Sequence, residues 1–303
     1  MRLAPILAGI FLAASAAGAM AQEADGPQAN PELTAVFFRL DGTLLERLEP
    51  LAERDIPGAR AIYRGFEILV EDGDFPAACE AWEAAASVSA EAAHFTAECY
   101  QRGDGGVEDD VKAAELYRLA GEGGYPKSLC ALGNLYMAGE GVPQDTVRGV
   151  ALCQRGAEMG DPDAQTDLGN FYLTGQGVPI DKVRARHWYE QAVVHRQRNA
   201  AFILGQMYWY GDTVERSDAE AFRYWEIAWE AGRPDAALLL ARSHVVVAVR
   251  DPQNIERAAL ETALQWYELA MPHLEGTELD SAREEQGDVR DALDTLARSQ
   301  DQE

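Results

Sequence analysis

Apolar residues recur along this chain with the spacing of amphipathic helices, and the whole pattern returns about every thirty-six residues. One helical run ends at the turn glycine Gly139, and Asp145 then precedes a second run. One period later, Gly175 and Asp181 stand in the same places. Glycine ends a helix by adopting positive φ, and aspartate caps the next helix with a side-chain oxygen. The pattern therefore predicts pairs of antiparallel helices joined by short loops.

Glycine also recurs inside the first helix of each predicted pair, at Gly133, Gly169 and Gly205. Glycine in a helix interior costs about 1 kcal/mol relative to alanine, so it needs a packing reason. We expect that reason to be a close approach of the second helix, which carries small and aromatic residues in fixed places.

The aligned copies share the motif A-x-x-x-L-G-x-x-Y-x-x-G-x-G-V-x-x-D, followed by A-x-x-W/Y-Y/W-x-x-A. This motif resembles the Sel1-like repeat, a relative of the tetratricopeptide repeat. The resemblance covers residues 92–232 well and weakens at both ends. It implies an all-α fold, a right-handed α-solenoid of antiparallel helix pairs.

The chain divides into four predicted segments. Residues 1–21 form a signal peptide and residues 22–58 an N-terminal extension. Residues 59–275 form the repeat solenoid, with about five to six helix pairs and degenerate end copies. Residues 276–303 have helical spacing and many charges, which suits the acidic capping helix or tail that a solenoid end requires.

The signal-peptide prediction rests on a basic Arg2, an apolar run from Leu3 to Ala17 and an A-x-A site that ends at Ala21. The apolar run is shorter than the ~20 residues that a membrane-spanning helix needs. We therefore expect cleavage after Ala21. The mature chain should be periplasmic or secreted, without stable membrane insertion.

The charge balance narrows the class of partner. The chain has 26 Lys and Arg against 51 Asp and Glu, a formal net charge of −25. Such a surface repels nucleic acids and anionic lipids, and it favours cationic partners or simply solubility. We expect a protein or peptide partner and no nucleic acid.

Candidate catalytic chemistry is sparse. The Phe38–Thr43 stretch resembles the first motif of haloacid-dehalogenase-type phosphatases, but Arg39 stands where that family has its nucleophilic aspartate. The five histidines form no H-x-x-x-H or H-E-x-x-H pair, and no nucleophile elbow, P-loop or Rossmann glycine pattern occurs. We expect no catalytic residue, no cofactor and no metal site.

Four cysteines in an exported chain allow three disulfide pairings. Facing positions of two antiparallel helices are equidistant from the connecting loop, which places Cys79 opposite Cys99 and Cys130 opposite Cys153. The first pairing is favoured. The second is less favoured, because a helical wheel turns Cys130 outward. Cysteine-stapled Sel1-like proteins exist, but the resemblance to them is partial.

A helical wheel of each first helix also predicts a stripe of side chains opposite the buried side. On one helix, Leu132 and Tyr136 mark the buried side and Asn134 lies opposite. With the equivalent positions, the predicted stripe consists of Glu98, Gln101, Asn134, Met137, Asn170, Leu173, Gln206 and Trp209. First helices usually line the concave face of such solenoids, so we expect a partner to bind there. Trp209 and Tyr210 are the strongest candidates for interface anchors. The alternative for each is a contact with the next repeat, which is as well supported as the anchor for Trp209 and is favoured for Tyr210.

Sel1-like proteins of bacterial envelopes often regulate signalling or polysaccharide assembly. The resemblance therefore implies a non-enzymatic scaffold or regulator in the periplasm or envelope, with a partner such as a sensor or a polysaccharide-assembly component. The alternative is a cell-wall-related enzyme or a small-molecule-binding protein on a repeat scaffold, for example a β-lactamase-like or peptidoglycan-related protein.

Overall fold

The computed structural model describes residues 26–37 and 44–300. The predicted signal peptide, its cleavage site and the phosphatase-like Phe38–Thr43 stretch lie outside the described residues. Within the described ranges the protein is all-helical, with a single isolated β-bridge between Gln28 and Ser89 and no strand. The predicted fold class is confirmed.

The described residues form two compact units, an N-terminal unit that ends at His195 and a C-terminal unit that begins at Arg196. The helices of the N-terminal unit are α1 (Pro31–Phe37), α2 (Leu44–Ala52), α3 (Ala59–Glu71), α4 (Phe75–Glu83), α5 (Ala90–Arg102), α6 (Asp110–Glu122), α7 (Pro126–Ala138), α8 (Thr146–Glu158), α9 (Pro162–Thr174) and α10 (Lys182–Val194). The helices of the C-terminal unit are α11 (Arg198–Tyr210), α12 (Asp218–Glu230), α13 (Asp235–Ala248), α14 (Arg257–Ala270), a short 3-10 helix (Met271–His273) and α15 (Gly276–Gln300).

Consecutive helices from α3 to α14 pack as pairs, and each regular pair begins and ends as its sequence predicts. The residue after α7 is Gly139, with φ of 81°, and the residue after α9 is Gly175, with φ of 78°. The second helices are capped by side chains, as at Asp145, whose Oδ1 accepts a hydrogen bond from the Arg148 amide at 3.0 Å. Local chemistry therefore fixes where each helix of a pair starts and stops.

The last pair, α13 and α14, departs from the thirty-six-residue spacing. Val247 stands where the turn glycine of a regular copy would be, and α13 continues to Ala248. The second helix then begins only at Arg257, after a loop that contains Asp251 and Pro252. The sequence places the insertion in this same loop.

The N-terminal helices cover the first pair. Leu33 and Val36 of α1 and Leu48 of α2 are buried in one cluster with residues of α3, α4 and α5. A fully buried carboxylate, Glu91, fastens this cover, since its Oε1 accepts hydrogen bonds from the Asn30 amide and the Thr34 hydroxyl, both at 2.7 Å. These hydrogen bonds and the shared apolar cluster attach the N-terminal helices to the rest of the N-terminal unit.

The long helix α15 packs against α14 and lies within the predicted capping segment. Its Ala282 and Val289 are buried in a cluster with Tyr267. Glu285 of α15 accepts a hydrogen bond from the Tyr267 hydroxyl at 2.9 Å and pairs with Nε and Nη2 of Arg242, each at 2.9 Å. A bidentate ion pair of this kind fixes geometry as well as charge.

Candidate protein-binding face

On each first helix, the more accessible residues fall on one side at spacings of three or four, and we call this side the open face. In the N-terminal unit the open face consists of Glu98 and Arg102 on α5, Lys127, Ala131, Asn134 and Ala138 on α7, and Asp163, Asp167, Asn170 and Thr174 on α9. The helices α7 and α9 touch, and Lys127 Nζ lies 3.4 Å from Asp163 Oδ2. The open faces of consecutive first helices therefore join into a surface within this unit.

In the C-terminal unit the open face is more apolar. It consists of Asn199, Ile203, Gln206 and Tyr210 on α11 and Asp235, Leu239, Arg242 and Val246 on α13. Tyr210 is 76 % exposed and Val246 is 50 % exposed. Exposed apolar patches of this kind are more often sites of contact with a partner than ordinary protein surface is.

Half of the predicted stripe lies on these open faces, and half lies at their edge. Glu98, Asn134, Asn170 and Gln206 are open-face residues, and of these Asn134 is exposed and the other three are half-buried. The remaining four are half-buried and turn toward the second helices: Gln101, Met137, Leu173 and Trp209. Met137, for example, lies against the backbone of Gly149.

Two amides of the N-terminal unit, Asn170 and Gln101, are held in place by tyrosine hydroxyls. The Tyr189 hydroxyl donates to Asn170 Oδ1 at 2.8 Å, and the Tyr117 hydroxyl donates to Gln101 Oε1 at 2.8 Å. Both tyrosines are buried on second helices. The bond fixes which way each amide points and directs its NH₂ group toward other acceptors.

Two side chains point in the opposite direction to the prediction. Cys130 is only 4 % exposed, so the prediction that it turns outward is wrong. Tyr210 does not pack against the next repeat as expected, since most of its side chain is accessible. Trp209 is half-buried against Phe222 and Trp225, with ring centroids 6.0 and 5.7 Å away.

Both candidate disulfides are present. Cys79 and Cys99 join α4 to α5, with their Cα atoms 5.9 Å apart. Cys130 and Cys153 join α7 to α8, with their Cα atoms 3.9 Å apart. The second bond occurs where the two helices come closest, because Gly133 and Gly149 present no side chains to each other.

A buried group that the sequence did not single out links α5 to α7. His94 Nδ1 lies 2.9 Å from Ser128 Oγ, and His94 Nε2 lies 3.5 Å from Glu98 Oε1. This is the connectivity of a serine–histidine–acid triad, but Ser128 is 0 % and His94 1 % exposed, so no substrate can reach the hydroxyl. Burial lowers the pKa of His94, so the imidazole is neutral at neutral pH. The group therefore works as a packing link between two repeats.

Charged groups around Lys127 have shifted pKa values. Burial opposes ionisation of Glu98. The hydrogen bond from His94 and the charges of Lys127 and Arg102 outweigh this effect and hold the pKa of Glu98 below its usual value. Burial raises the pKa of Asp161 to about 7, and the charge of Asp163 adds to this effect. The open face of the N-terminal unit thus carries fixed charges, and the raised pKa belongs to Asp161, which is buried beneath it.

The sequence contained a signal for the charged residues at the N-terminal ends of the first helices. The position of Glu91 is polar in every following copy, as Lys127, Asp163, Asn199 and Asp235. Polar residues at the repeat period, two turns before the predicted stripe, would have extended the stripe to the N-terminal ends of the first helices.

Three further properties of the described residues concern cavities, metal sites and membrane spans. A cavity of about 510 Å³ lies beside the Cys79–Cys99 disulfide, lined by Asp74, Glu80, Glu83 and Tyr100 among others. Residues 26–37 and 44–300 contain no group of three or more His, Cys, Asp or Glu side chains arranged to hold a metal ion. Among the described helices, none has both the length and the apolar character to cross a membrane.

The fold and the open faces define a class of protein, the helical repeat scaffold. The family model of the Sel1 repeat matches residues 90–125, 126–161, 162–193, 198–232 and 252–270, together just over half of the chain. The protein therefore belongs to the Sel1 repeat family. Proteins of this family are generally protein-interaction scaffolds, and their fold is typically non-enzymatic.

Solved structures agree with this assignment. A Sel1 repeat protein from Oxalobacter formigenes is 25 % identical, with a TM-score of 0.59 over 71 % of this chain and 85 % of that one. The protective antigen c5321 of uropathogenic Escherichia coli is also 25 % identical, with a TM-score of 0.53 over 83 % of this chain. The match spans only 59 % of the c5321 chain. No curated protein matches the sequence.

Proposed function

We propose that this protein is a non-enzymatic scaffold of the bacterial periplasm or envelope that holds a protein or peptide partner on the open faces of its first helices. The observation that carries the proposal is the series of amides at one position of successive first helices, Asn134, Asn170 and Gln206. An amide side chain both donates and accepts, so it can bind the backbone of an extended peptide in either direction.

Fixed geometry supports a binding role for these amides. Asn170 is oriented by the buried Tyr189 hydroxyl. Helix α7 is held to α8 by facing glycines and the Cys130–Cys153 disulfide, and Gly169 of α9 packs on the Tyr189 ring of α10. Side chains that are already ordered lose less conformational entropy when a partner binds. The amides are therefore suited to recognition, since surface amides without such partners would have to be ordered on binding.

Location outside the cytoplasm is supported by two independent features. The first 21 residues have the composition of a signal peptide, and the cysteines of the described chain are joined in two disulfides. Disulfides persist in oxidising compartments such as the periplasm, whereas cytosolic thiols stay reduced. The partner is then an envelope component, for which a sensor protein or a polysaccharide-assembly protein is the leading candidate.

The experiment is affinity capture from an envelope extract, followed by measurement of the dissociation constant with the purified partner. Asn134→Ala and Asn170→Ala should each weaken binding by about tenfold or more, since each removes a hydrogen-bonding group from the face. The matched control is Gln154→Ala, which removes an exposed amide from the second helix α8. Equal binding by all three variants would place recognition elsewhere, and retention of only a glycan or small molecule would support the small-molecule alternative.

Two aromatic variants test the C-terminal unit. Tyr210→Ala should leave stability within about 0.5 kcal/mol of wild type, because the side chain is largely exposed. If α11 contacts the partner, the same variant should weaken binding by about 2 kcal/mol. Trp209→Ala should behave differently and lose about 3 kcal/mol of stability, since Trp209 packs on Phe222 and Trp225. Wild-type binding by both variants would remove α11 from the proposed interface.

A further inference from the structure

A row of exposed apolar side chains runs along the second helices of the N-terminal unit. The helices α4, α6, α8 and α10 each expose one large apolar residue within their first two positions: Phe75, Val111, Val147 and Val183. Their exposed fractions range from 48 % to 71 %. Single exposed apolar residues are ordinary, but a row at the repeat spacing indicates a contact surface. We call the exposed side of these four helices the outer face.

The starts of these helices follow one another along one edge of the unit. A methyl group added at Gly141, in the loop before α8, would lie 2.2 Å from the Asp110 oxygen at the start of α6. A methyl group added at Gly177, in the loop before α10, would lie 2.7 Å from a side-chain methyl of α8. Lys112 of α6 forms an ion pair with Glu83 of α4 at 3.0 Å. The four second helices are therefore neighbours, and the outer face is one surface.

Charge changes sign along the outer face, although the whole chain has a formal net charge of −25. Helix α4 has two acidic residues and no basic one, and α6 has three acidic and two basic residues. Helix α8 has one acidic and two basic residues, and α10 has one acidic and three basic residues. With histidine neutral, the formal charges are −2, −1, +1 and +2 in chain order. The capping aspartate before each helix adds the same charge to all four, so the gradient remains.

Both ends of this gradient have charges that the fold leaves available. Among the residues that the structure describes, Glu80 of α4, Glu115 of α6 and Arg155 of α8 take part in no ion pair, and all three are exposed. The outer face therefore offers acidic groups on one half, basic groups on the other half and apolar residues on both.

We propose that the outer face binds a second copy of this chain, in a two-fold symmetric dimer whose axis runs parallel to the second helices, between α6 and α8. This axis places α6 against α8 of the second copy and α4 against α10 of the second copy. Opposite charges then face each other at every helix, as a self-complementary interface requires. The helix starts also meet, with Val111 against Val147 of the second copy and Phe75 against Val183 of the second copy.

The charge pattern favours a second copy over other occupants. An axis across the helices would place each helix against itself and oppose like charges. A uniformly basic partner would be repelled by α8 and α10, and a uniformly acidic partner by α4 and α6. The high net charge of the chain opposes self-association in general, so two copies can approach best where the helices balance each other. The dimer leaves the open faces of the first helices free and does not depend on the proposed function.

The test is sedimentation velocity of the purified mature protein over a series of concentrations. The mass should approach twice that of the monomer as the concentration rises. Val147→Asp should weaken the dimer by about tenfold or more, because it places a carboxylate in the apolar contact with Val111 of the second copy. The matched control is Val246→Asp on the first helix α13, where the valine is 50 % exposed. This variant should dimerise like wild type.

A charge exchange tests the orientation of the two copies. Glu115→Arg and Arg155→Glu should each weaken the dimer by about threefold or more, because each puts like charges on α6 and on α8 of the second copy. The double variant has the same net charge as wild type and restores opposite charges across the interface. Its dimer should therefore be stronger than that of either single variant. Circular dichroism checks that every variant is folded.

Three results would overturn the dimer. The first is a monomeric mass at every concentration up to about 1 mM. The second is a dimer that Val147→Asp and both charge variants leave unchanged, since the contact would then lie on another surface. The third is a double variant that dimerises no better than the single variants, since α6 would then not face α8 of the second copy. Failure to find a protein partner for the open faces would overturn the proposed function and leave these results intact.

Discussion

Two helix pairs, α7/α8 in the N-terminal unit and α11/α12 in the C-terminal unit, follow the same repeat motif but are closed in different ways. In α11/α12, Gly205 faces the indole of Trp225, and a methyl group added at Gly205 would lie 2.3 Å from the Trp225 ring. In α7/α8, Gly133 faces the backbone of Gly149, with 2.6 Å from the same hypothetical methyl to the Gly149 oxygen. One pair is closed by a buried aromatic ring and the other by backbone contact and a disulfide.

The difference shows that a glycine at this position of the first helix accepts two solutions opposite it. Cys153 takes the position that holds Tyr189 and Trp225 in later copies. Without a ring to fill the space, the helices of α7/α8 approach until their backbones touch, and the Cys130–Cys153 bond spans the short distance that remains. The same motif thus tolerates two different ways of closing a helix pair.

The largest expected effect is the loss of the ring in α11/α12. Trp225→Ala should reduce the free energy of unfolding by about 3–5 kcal/mol, because Trp225 is fully buried and its Nε1 donates to the Phe202 oxygen at 3.1 Å. Chemical denaturation followed by circular dichroism measures the loss. Tyr210→Ala serves as the exposed aromatic control, and an equal cost for both variants would contradict the ring-closure account.

The disulfide should contribute somewhat less. The double variant Cys130→Ser with Cys153→Ser should lose about 2–4 kcal/mol, since the bond closes a loop with a sequence separation of 23. Denaturation with and without reductant checks this value. The pair Cys79→Ser with Cys99→Ser provides the comparison for the other disulfide. A double variant as stable as wild type would mean that glycine contact alone closes α7/α8.

Glycine substitutions distinguish the two closures more finely. Gly205→Ala should cost about 1–3 kcal/mol in wild type but little in the Trp225→Ala background, because the obstacle is then gone. Gly133→Ala should cost a similar amount, and this cost should persist after the disulfide is reduced, since the Gly149 backbone remains. Thermal denaturation of the single and combined variants measures the coupling. If Gly205→Ala reduces stability by the same amount in the Trp225→Ala background as in wild type, the Trp225 ring is not the obstacle.

The smallest expected effect concerns the N-terminal caps of the first helices α9 and α11. Asp161 caps α9, and its Oδ1 accepts a hydrogen bond from the Ala164 amide at 2.7 Å. The cap of α11 is the neutral Gln197. Because burial raises the pKa of Asp161 to about 7, its contribution to stability is present below about pH 4 and is lost as the pH rises through about 7. Asp161→Asn keeps a good cap and should stabilise the protein by about 1 kcal/mol at pH 8.

Melting temperatures between pH 5 and 8 test this prediction. The wild-type value should fall as the pH rises, and Asp161→Asn should flatten that slope. Asp145→Asn, at the exposed cap of α8, should keep the wild-type slope. Parallel slopes for wild type and Asp161→Asn would show that Asp161 does not titrate in this range.

Much of the fold could be predicted from the sequence because its signals are local. Gly139 and Gly175 end first helices, Asp145 and Asp181 cap second helices, and Cys79 and Cys99 face each other across a short loop. Each of these features depends on residues close together in the chain. The amides of the candidate face followed from the repeat period in the same way.

The tertiary structure alone decided how each helix is rotated toward its neighbours. A helical wheel gives the angles between side chains on one helix, but the direction of the core is set by packing against other helices. For this reason Cys130 turned inward and Tyr210 outward, against the sequence-based expectation. The same packing brought together residues far apart in the chain, such as His94 with Ser128. The sequence by itself determined the helix pairs and their ends, and the contacts between repeats determined which side chains are left for a partner.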